Sequence, residues 1–234
     1  MKPVRLLAIS ASLRKNGNTE YLMDETLKIA EKSVFPVEVK KYKFSGKKFG
    51  PCLGCLSCYK NGGVCVVKDD FFELRDLWND SDAVIYYAPV YAAGIPGQLK
   101  CFIDRLGNEA FGADPRFGNR HNKPIGAIIQ GGDFFGGAEF TVFDIMRHAG
   151  MLNCLYTPPD GSYFGSCGWV YDTHAKSMRE KFELNTKDHQ VMMKTAYSVI
   201  ERVIETAAIV KAGVEALKDD LSKIDEYKKI LDRV

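Results

Sequence analysis

Apolar residues fall into two rhythms along this chain, short runs and stripes spaced three or four apart, and the two alternate. Val4–Ser10, Ala83–Ala88 and Ile125–Gln130 are short apolar runs, the pattern of strands buried on both faces of a parallel sheet. Val37–Phe44 alternates enough to be the second strand, and Leu152–Tyr156 reads as a fifth. Between the strands the spacing predicts helices. The first covers about 19–32, with Leu22, Met23, Leu27 and Ala30 on one face. A short one ends near Asn79 and is opened by Asp70 as N-cap with Glu73 three residues on; the pair is a helix-start signal. Others cover about 98–106 and a stretch ending near His148. Residues 107–123 lack periodicity and read as a loop, as does the Gly/Pro/aromatic stretch 157–173. A long helix over about 188–217 carries Met192, Ala196, Val199, Val203, Ala207, Val210 and Val214 on one stripe, which is core spacing. The charged tail 218–234 reads as a last helix, on the surface or at a subunit contact.

Strands alternating with helices argue for an α/β protein, a five-stranded parallel sheet with helices on both faces. No repeat, low-complexity tract or linker divides the chain, so 1–234 reads as one domain. A cysteine-rich insertion at about 46–66 and a helical extension at about 188–234 are added to it. Composition agrees: 46% hydrophobic and 26% charged residues match ordinary globular proteins and exclude disordered and fibrous classes. A net charge of +2 is no electrostatic footprint for nucleic acid or a membrane surface. Arg5 interrupts the first apolar run, and nothing later approaches the ~20 apolar residues of a membrane span. The expected location is the cytoplasm.

In such sheets ligands bind beyond the carboxyl ends of the strands. Ser10-Ala11-Ser12-Leu13-Arg14-Lys15-Asn16-Gly17-Asn18-Thr19 follows the first strand. Its hydroxyls, its backbone N–H groups and a helix N-terminus converge where a phosphate would be held, and Arg14 adds a charge-assisted donor. Neither the dinucleotide fingerprint nor the Walker pattern is present, so a terminal monophosphate fits best. The plainer reading is a polar turn in which Asn18 and Thr19 only cap the helix. Asp104 and Arg105 read as a mutual ion pair or as helix-end charges. The histidines His121, His148, His174 and His189 show no metal spacing.

Further along stand Ala88-Pro89-Val90-Tyr91, then Lys100-Cys101-Phe102-Ile103-Asp104-Arg105, then Gln130-Gly131-Gly132-Asp133. In this order, over about residues 4–156, the chain resembles the NADPH-dependent FMN reductase group of flavodoxin-like proteins, with its pattern GSPRKxGNT … SPVY … LKxFIDR … GG. The resemblance implies a flavodoxin-like fold and bound FMN. Ser12, Arg14, Asn18 and Thr19 would form the phosphate loop, with Leu13 in place of the usual proline; Ser10 and Asn16 of the same loop are further candidates. Pro89, Val90 and Tyr91 would lie against the isoalloxazine ring, as would Gly131 and Gly132, with Asp133 beside them a further candidate. It also implies NAD(P)H as reductant and FMN at a subunit boundary, hence a homo-oligomer, dimer or tetramer.

Four of seven cysteines crowd into Cys52-x-x-Cys55-x-x-Cys58-x6-Cys65, unlike the spread of a secreted disulfide framework. Three cysteines at three-residue intervals let a loop wrap thiolates around a small cluster, and the fourth closes the cage. Zinc competes, although its structural sites use two separated knuckles; so do metal-free redox thiols. Cys101, Cys154 and Cys167 are isolated and read as buried, apolar positions. The motif resembles that of the iron–sulfur flavoproteins of anaerobic microbes, an offshoot of the FMN reductase group. That resemblance implies a [4Fe–4S] cluster on all four cysteines.

The expected function is therefore an FMN-dependent oxidoreductase coupling a two-electron flavin to a one-electron cluster. An FMN or quinone reductase with free thiols or zinc, an electron carrier serving a redox partner protein, and a metal-stabilised sensor or scaffold without FMN are the alternatives.

Overall fold

A computed structural model describes residues 2–116, 118–132, 136–169 and 177–234. Its centre is a parallel sheet. β1 (Val4–Ser10) pairs with β2 (Val37–Lys43) on one side and β3 (Ala83–Pro89) on the other, and β3 pairs with β4 (Pro124–Gly131). The order is β2-β1-β3-β4 and then the outer edge. Sequence order reverses beside β1, so the loops leaving β1 and β3 diverge there and open a crevice.

Alternate residues of the central strands feed two cores. Leu7, Ile9, Val84, Tyr86, Ala127 and Ile129 face α3 (Phe71–Asp80), α4 (Gly97–Ala113) and α5 (Ala138–Met151). Leu6, Ala8, Ile85, Tyr87 and Ile128 face α1 (Asn18–Thr26) and α7 (Lys187–Ala216). Of the predicted stripe, Met192, Ala196, Val199, Val203, Ala207 and Val214 are buried, while Val210 is half-buried.

The structure corrects several expectations. The outer edge is split: β5 is only Leu155–Tyr156 beside Pro124–Ile125, and β6 (Ser166–Trp169) returns beside Ile128–Gly131. Pro158 and Pro159 lack ladder donors, so the chain leaves the sheet there. It re-enters through Ser-Cys-Gly-Trp, which has no apolar run to announce it. The first helix is α-helical only to Thr26 and continues as a 3-10 turn over Leu27–Lys32; Thr26 Oγ1 donates back to Leu22 O (2.7 Å). Residues 107–113, read as loop, continue α4. Its two glycines there face close neighbours, for a Cβ on Gly107 would lie 2.6 Å from Met151 Cε and one on Gly112 2.9 Å from the Cys58 backbone. Asp70 does not cap α3 with its side chain; Asp69 accepts from Phe71 N instead (3.2 Å). A further helix, α6 (Met178–Leu184), stands before α7.

The charged tail folds back as α8 (Lys218–Leu221) and α9 (Lys228–Arg233). Ile230 is buried, and Arg5 donates to Arg233 O (2.6 Å). Buried Asp82 sits among Arg5, Lys211 and Arg233 at 3.2, 2.8 and 3.5 Å. Among the described residues no helix is long and apolar enough to cross a membrane.

Candidate functional site

The loop after β1 is closed by its own backbone chemistry. Ala11 N donates to Tyr87 O (2.8 Å), holding the loop's start on the sheet. Ser12 Oγ accepts from Arg14 N (3.2 Å), and Asn16 takes a left-handed φ of 55° while its N–H donates to Glu20 Oε2 (3.0 Å). Gly17 is the N-cap of α1 and offers no side-chain cap, so first-turn N–H groups of the helix are left without one. The Arg14 side chain is exposed, and Ser10 Oγ is buried without a hydrogen-bond partner. A helix N-terminus with a guanidinium and an unsatisfied hydroxyl beside it is a fitting seat for a phosphate.

Two residues of this set are engaged elsewhere. Asn18 Oδ1 accepts from Met178 N (3.3 Å), tying α1 to α6, and Thr19 Oγ1 accepts from Gln130 Nε2 (3.3 Å), tying α1 to the end of β4. Gln130 Oε1 remains buried and unpartnered.

Pro89, Val90 and Tyr91 continue β3 over the sheet's carboxyl edge. Val90 N donates to Gln130 O (3.0 Å), and Tyr91 and Gly94 bond each other both ways (3.0 Å), making a tight turn with Ala92 and Ala93 at positive φ. Gly137 packs on that turn: a Cβ there would lie 2.4 Å from Ala93 O. Gly131 is buried, Gly132 is exposed, and Asp133 lies outside the described residues. The β1, β3 and β4 loops thus converge on one end of the sheet, the arrangement a flavin mononucleotide requires.

The cysteine segment leaves β2 at that same end but runs down α4. α2 (Ser57–Lys60) packs on α4, and the four cysteines of the motif line one pocket with Arg105 and Glu109. Arg105 lies roughly 12 Å along α4 from Gly97. All four thiols are free, with Cys55 exposed and Cys52, Cys58 and Cys65 half-buried. Hydrogen bonds from Ser57 lower the Cys55 pKa, and burial raises that of Cys58. Among the described residues no three His, Cys, Asp or Glu side chains are grouped so as to hold a metal ion; the four thiols share the lining of one pocket. Four soft donors on a loop with Gly54 at positive φ fit an iron–sulfur cluster.

Arg105 is the residue the sequence reading missed. It does not pair with Asp104, which bonds Lys100 instead; neighbouring helix positions point about 100° apart. Its guanidinium, 1% exposed, donates to Asp69 Oδ2 (2.7 Å), Val67 O (2.7 Å) and Cys65 Sγ (3.6 Å) and lies 4.1 Å above the Phe71 ring. Burial raises the Asp69 pKa, but the Arg105 bond and backbone N–H groups of Gly50 and Phe71 outweigh it, and the net shift is downward. Glu109 accepts from Cys65 N (2.7 Å), and burial raises its pKa. The signal available in sequence was the Asp69-Asp70 pair after the last cysteine: Asp70 accepts from Lys48 N (2.7 Å), so both carboxylates close the insertion. Cys101, Cys154 and Cys167 pack against the core, and burial raises the last two to about 11 and about 12. His121 and His148 are buried; His174 lies outside the described residues.

A parallel α/β sheet of order β2-β1-β3-β4 with helices on both faces has the flavodoxin-like plan, and the family model for NADPH-dependent FMN reductase matches residues 4–164. The chain belongs to that family and is a flavin-dependent oxidoreductase. An iron-sulfur flavoprotein of Archaeoglobus fulgidus is 34% identical over 171 residues, covering 72% of this chain and 84% of that protein. Among solved structures, RosB with a bound 8-demethyl-8-formylriboflavin-5'-phosphate intermediate superposes with a TM-score of 0.63 at 14% identity, covering 93% of this chain and 87% of RosB. A flavodoxin, WrbA-like protein from Agrobacterium tumefaciens gives 0.55 at 14% identity, covering 89% of this chain and 99% of that one. Both structural likenesses speak to the fold alone.

Proposed function

We propose that the protein is an iron–sulfur flavoprotein that passes electrons between FMN and a [4Fe–4S] cluster, with NAD(P)H or a redox partner protein as the other party. The observation that carries this reading is the single pocket lined by all four motif cysteines and walled by a buried arginine. When bound, FMN would supply two-electron chemistry and the cluster one-electron steps.

The chain's own residues bind and orient. Ser10, Ser12, Arg14 and the N-terminus of α1 hold the phosphate, Asn16 and Glu20 keep the loop closed, and Asn18 and Thr19 fix the helix start. Pro89, Val90 and Tyr91 with Gly131, Gly132 and Asp133 border the ring. Cys52, Cys55, Cys58 and Cys65 ligate the metal. One flavin domain spans 1–234, with 46–66 as the cysteine insertion and 188–234 as the helical extension. It works in the cytoplasm as a homo-oligomer, a dimer or tetramer.

Anaerobic purification followed by a visible spectrum and by iron, sulfide, zinc and flavin assays tests this. Flavin bands over a broad absorption that dithionite bleaches, with about four irons per chain, are the expected result. A flavin protein with stoichiometric zinc, or with neither metal, would overturn the cluster. NAD(P)H oxidation under the same conditions separates enzyme from carrier.

A further inference from the structure

Arg105 is buried more completely than any thiol around it, which needs a reason. Five donors of a guanidinium are distributed here with one notable gap. Nη1 is held by Asp69 Oδ1 (2.9 Å) and Oδ2 (2.7 Å) and lies 3.4 Å from Gly50 O; Nη2 reaches Val67 O (2.7 Å) and Cys65 Sγ (3.6 Å). Nε is buried with no hydrogen-bond partner among the described residues. A cation in this position, lining the cysteine pocket with a donor on one thiol, is suited to an occupant rich in negative charge. The other charges near it are Glu109, which accepts from Cys65 N (2.7 Å), and Arg75, 3.4 Å from Glu109.

We infer that Arg105 is a positioning residue that sets the reduction potential of the cluster proposed above, through its N–H to the Cys65 sulfur and its buried charge, with Asp69 as the counter-charge that limits the effect. The inference rests on the cluster reading. Four thiolates around a cluster make an anion, and one-electron reduction makes it more negative. A fixed cation and an N–H to sulfur stabilise the reduced state more and raise the potential. Asp69 acts in the opposite sense, since its carboxylate offsets the guanidinium.

The opposed signs separate tuning from mere loop support. Wild type, R105Q, R105K and D69N, loaded anaerobically with iron and sulfide, are titrated with dithionite in the presence of mediator dyes while the cluster absorption is followed. One electron enters per cluster, dithionite being the donor. R105Q is expected to lower the reduced-to-oxidised ratio at a fixed potential about tenfold, a shift of about 59 mV for a one-electron couple. R105K keeps the charge but not the planar fork and should fall between R105Q and wild type. D69N should move the potential upward, because it removes the counter-charge on Arg105 while the single asparagine oxygen still accepts from one of the two backbone donors, Gly50 N or Phe71 N. Shifts of R105Q and D69N in the same direction, or no shift in either, would overturn the inference. Should R105Q take up no iron, R105K and D69N carry the same opposed-sign test. Wild type that binds no iron refutes the cluster reading itself, a distinct outcome.

Discussion

Cys65 is held at both ends, its thiol by Arg105 and its N–H by Glu109, while Arg14 projects its guanidinium from the loop after β1. The proposed function assigns these residues to different cofactors, so their substitutions should have separable effects. Cys65→Ser is expected to lower iron per chain to well under half while leaving bound flavin unchanged, read by iron and flavin assays on one sample. Retained iron at wild-type stoichiometry would remove Cys65 from the ligand set. Arg14→Ala should do the reverse, weakening FMN binding about tenfold to a hundredfold. That is the range for one charge-assisted hydrogen bond of about 1.5–3 kcal/mol, and flavin fluorescence quenching in the flavin-free protein measures it. At this scale the cysteines and the phosphate-loop residues were legible because spacing and residue type are local. Arg105 was not, since its partners Asp69 and Cys65 lie 36 and 40 residues away along the chain.

Helices and strands bring those residues together, and glycine decides how closely. Gly63 follows α2 with φ +88°, and a Cβ on it would lie 2.5 Å from Ala113 Cβ and 2.6 Å from Glu109 O. Gly112 meets the Cys58 backbone from the other side. The two positions interlock the cysteine segment with the last turns of α4, which is why α4 extends past its apolar stripe. Gly63→Ala is expected to push the segment off the helix and cost about 1–3 kcal/mol. Thermal unfolding would show the loss together with reduced iron uptake, while FMN binding at the far end of α4 stays intact; unchanged iron uptake would count against the interlock. β6 illustrates the opposite limit of local reading. Ser166–Trp169 has little strand character of its own and is a strand because β4 offers it an edge.

For the whole molecule, acid should be the sensitive direction. His148 is buried with its Nε2 on Tyr86 OH (2.9 Å), and His121 is buried against Trp78. Burial depresses their pKa values to about 3 and about 2. In the unfolded chain both titrate near 6.5, so between about 3 and 6.5 the unfolded state binds more protons and stability falls as pH falls. Their full contribution is present above 6.5. Denaturant unfolding at stepped pH should show this decline, and His148→Gln should flatten it; an unchanged slope would exclude His148 as a source. The parallel α/β plan, the order of the polar loops along it and the cysteine motif can be read along the chain, because apolar period, turn chemistry and cysteine spacing are written over a few neighbouring residues. The split outer strand, the full length of α4, the return of the tail onto Asp82 and the burial of Arg105 beside Cys65 arise in the folded chain alone. Each of these depends on a surface made by a distant segment, and such a surface exists only once the chain has folded.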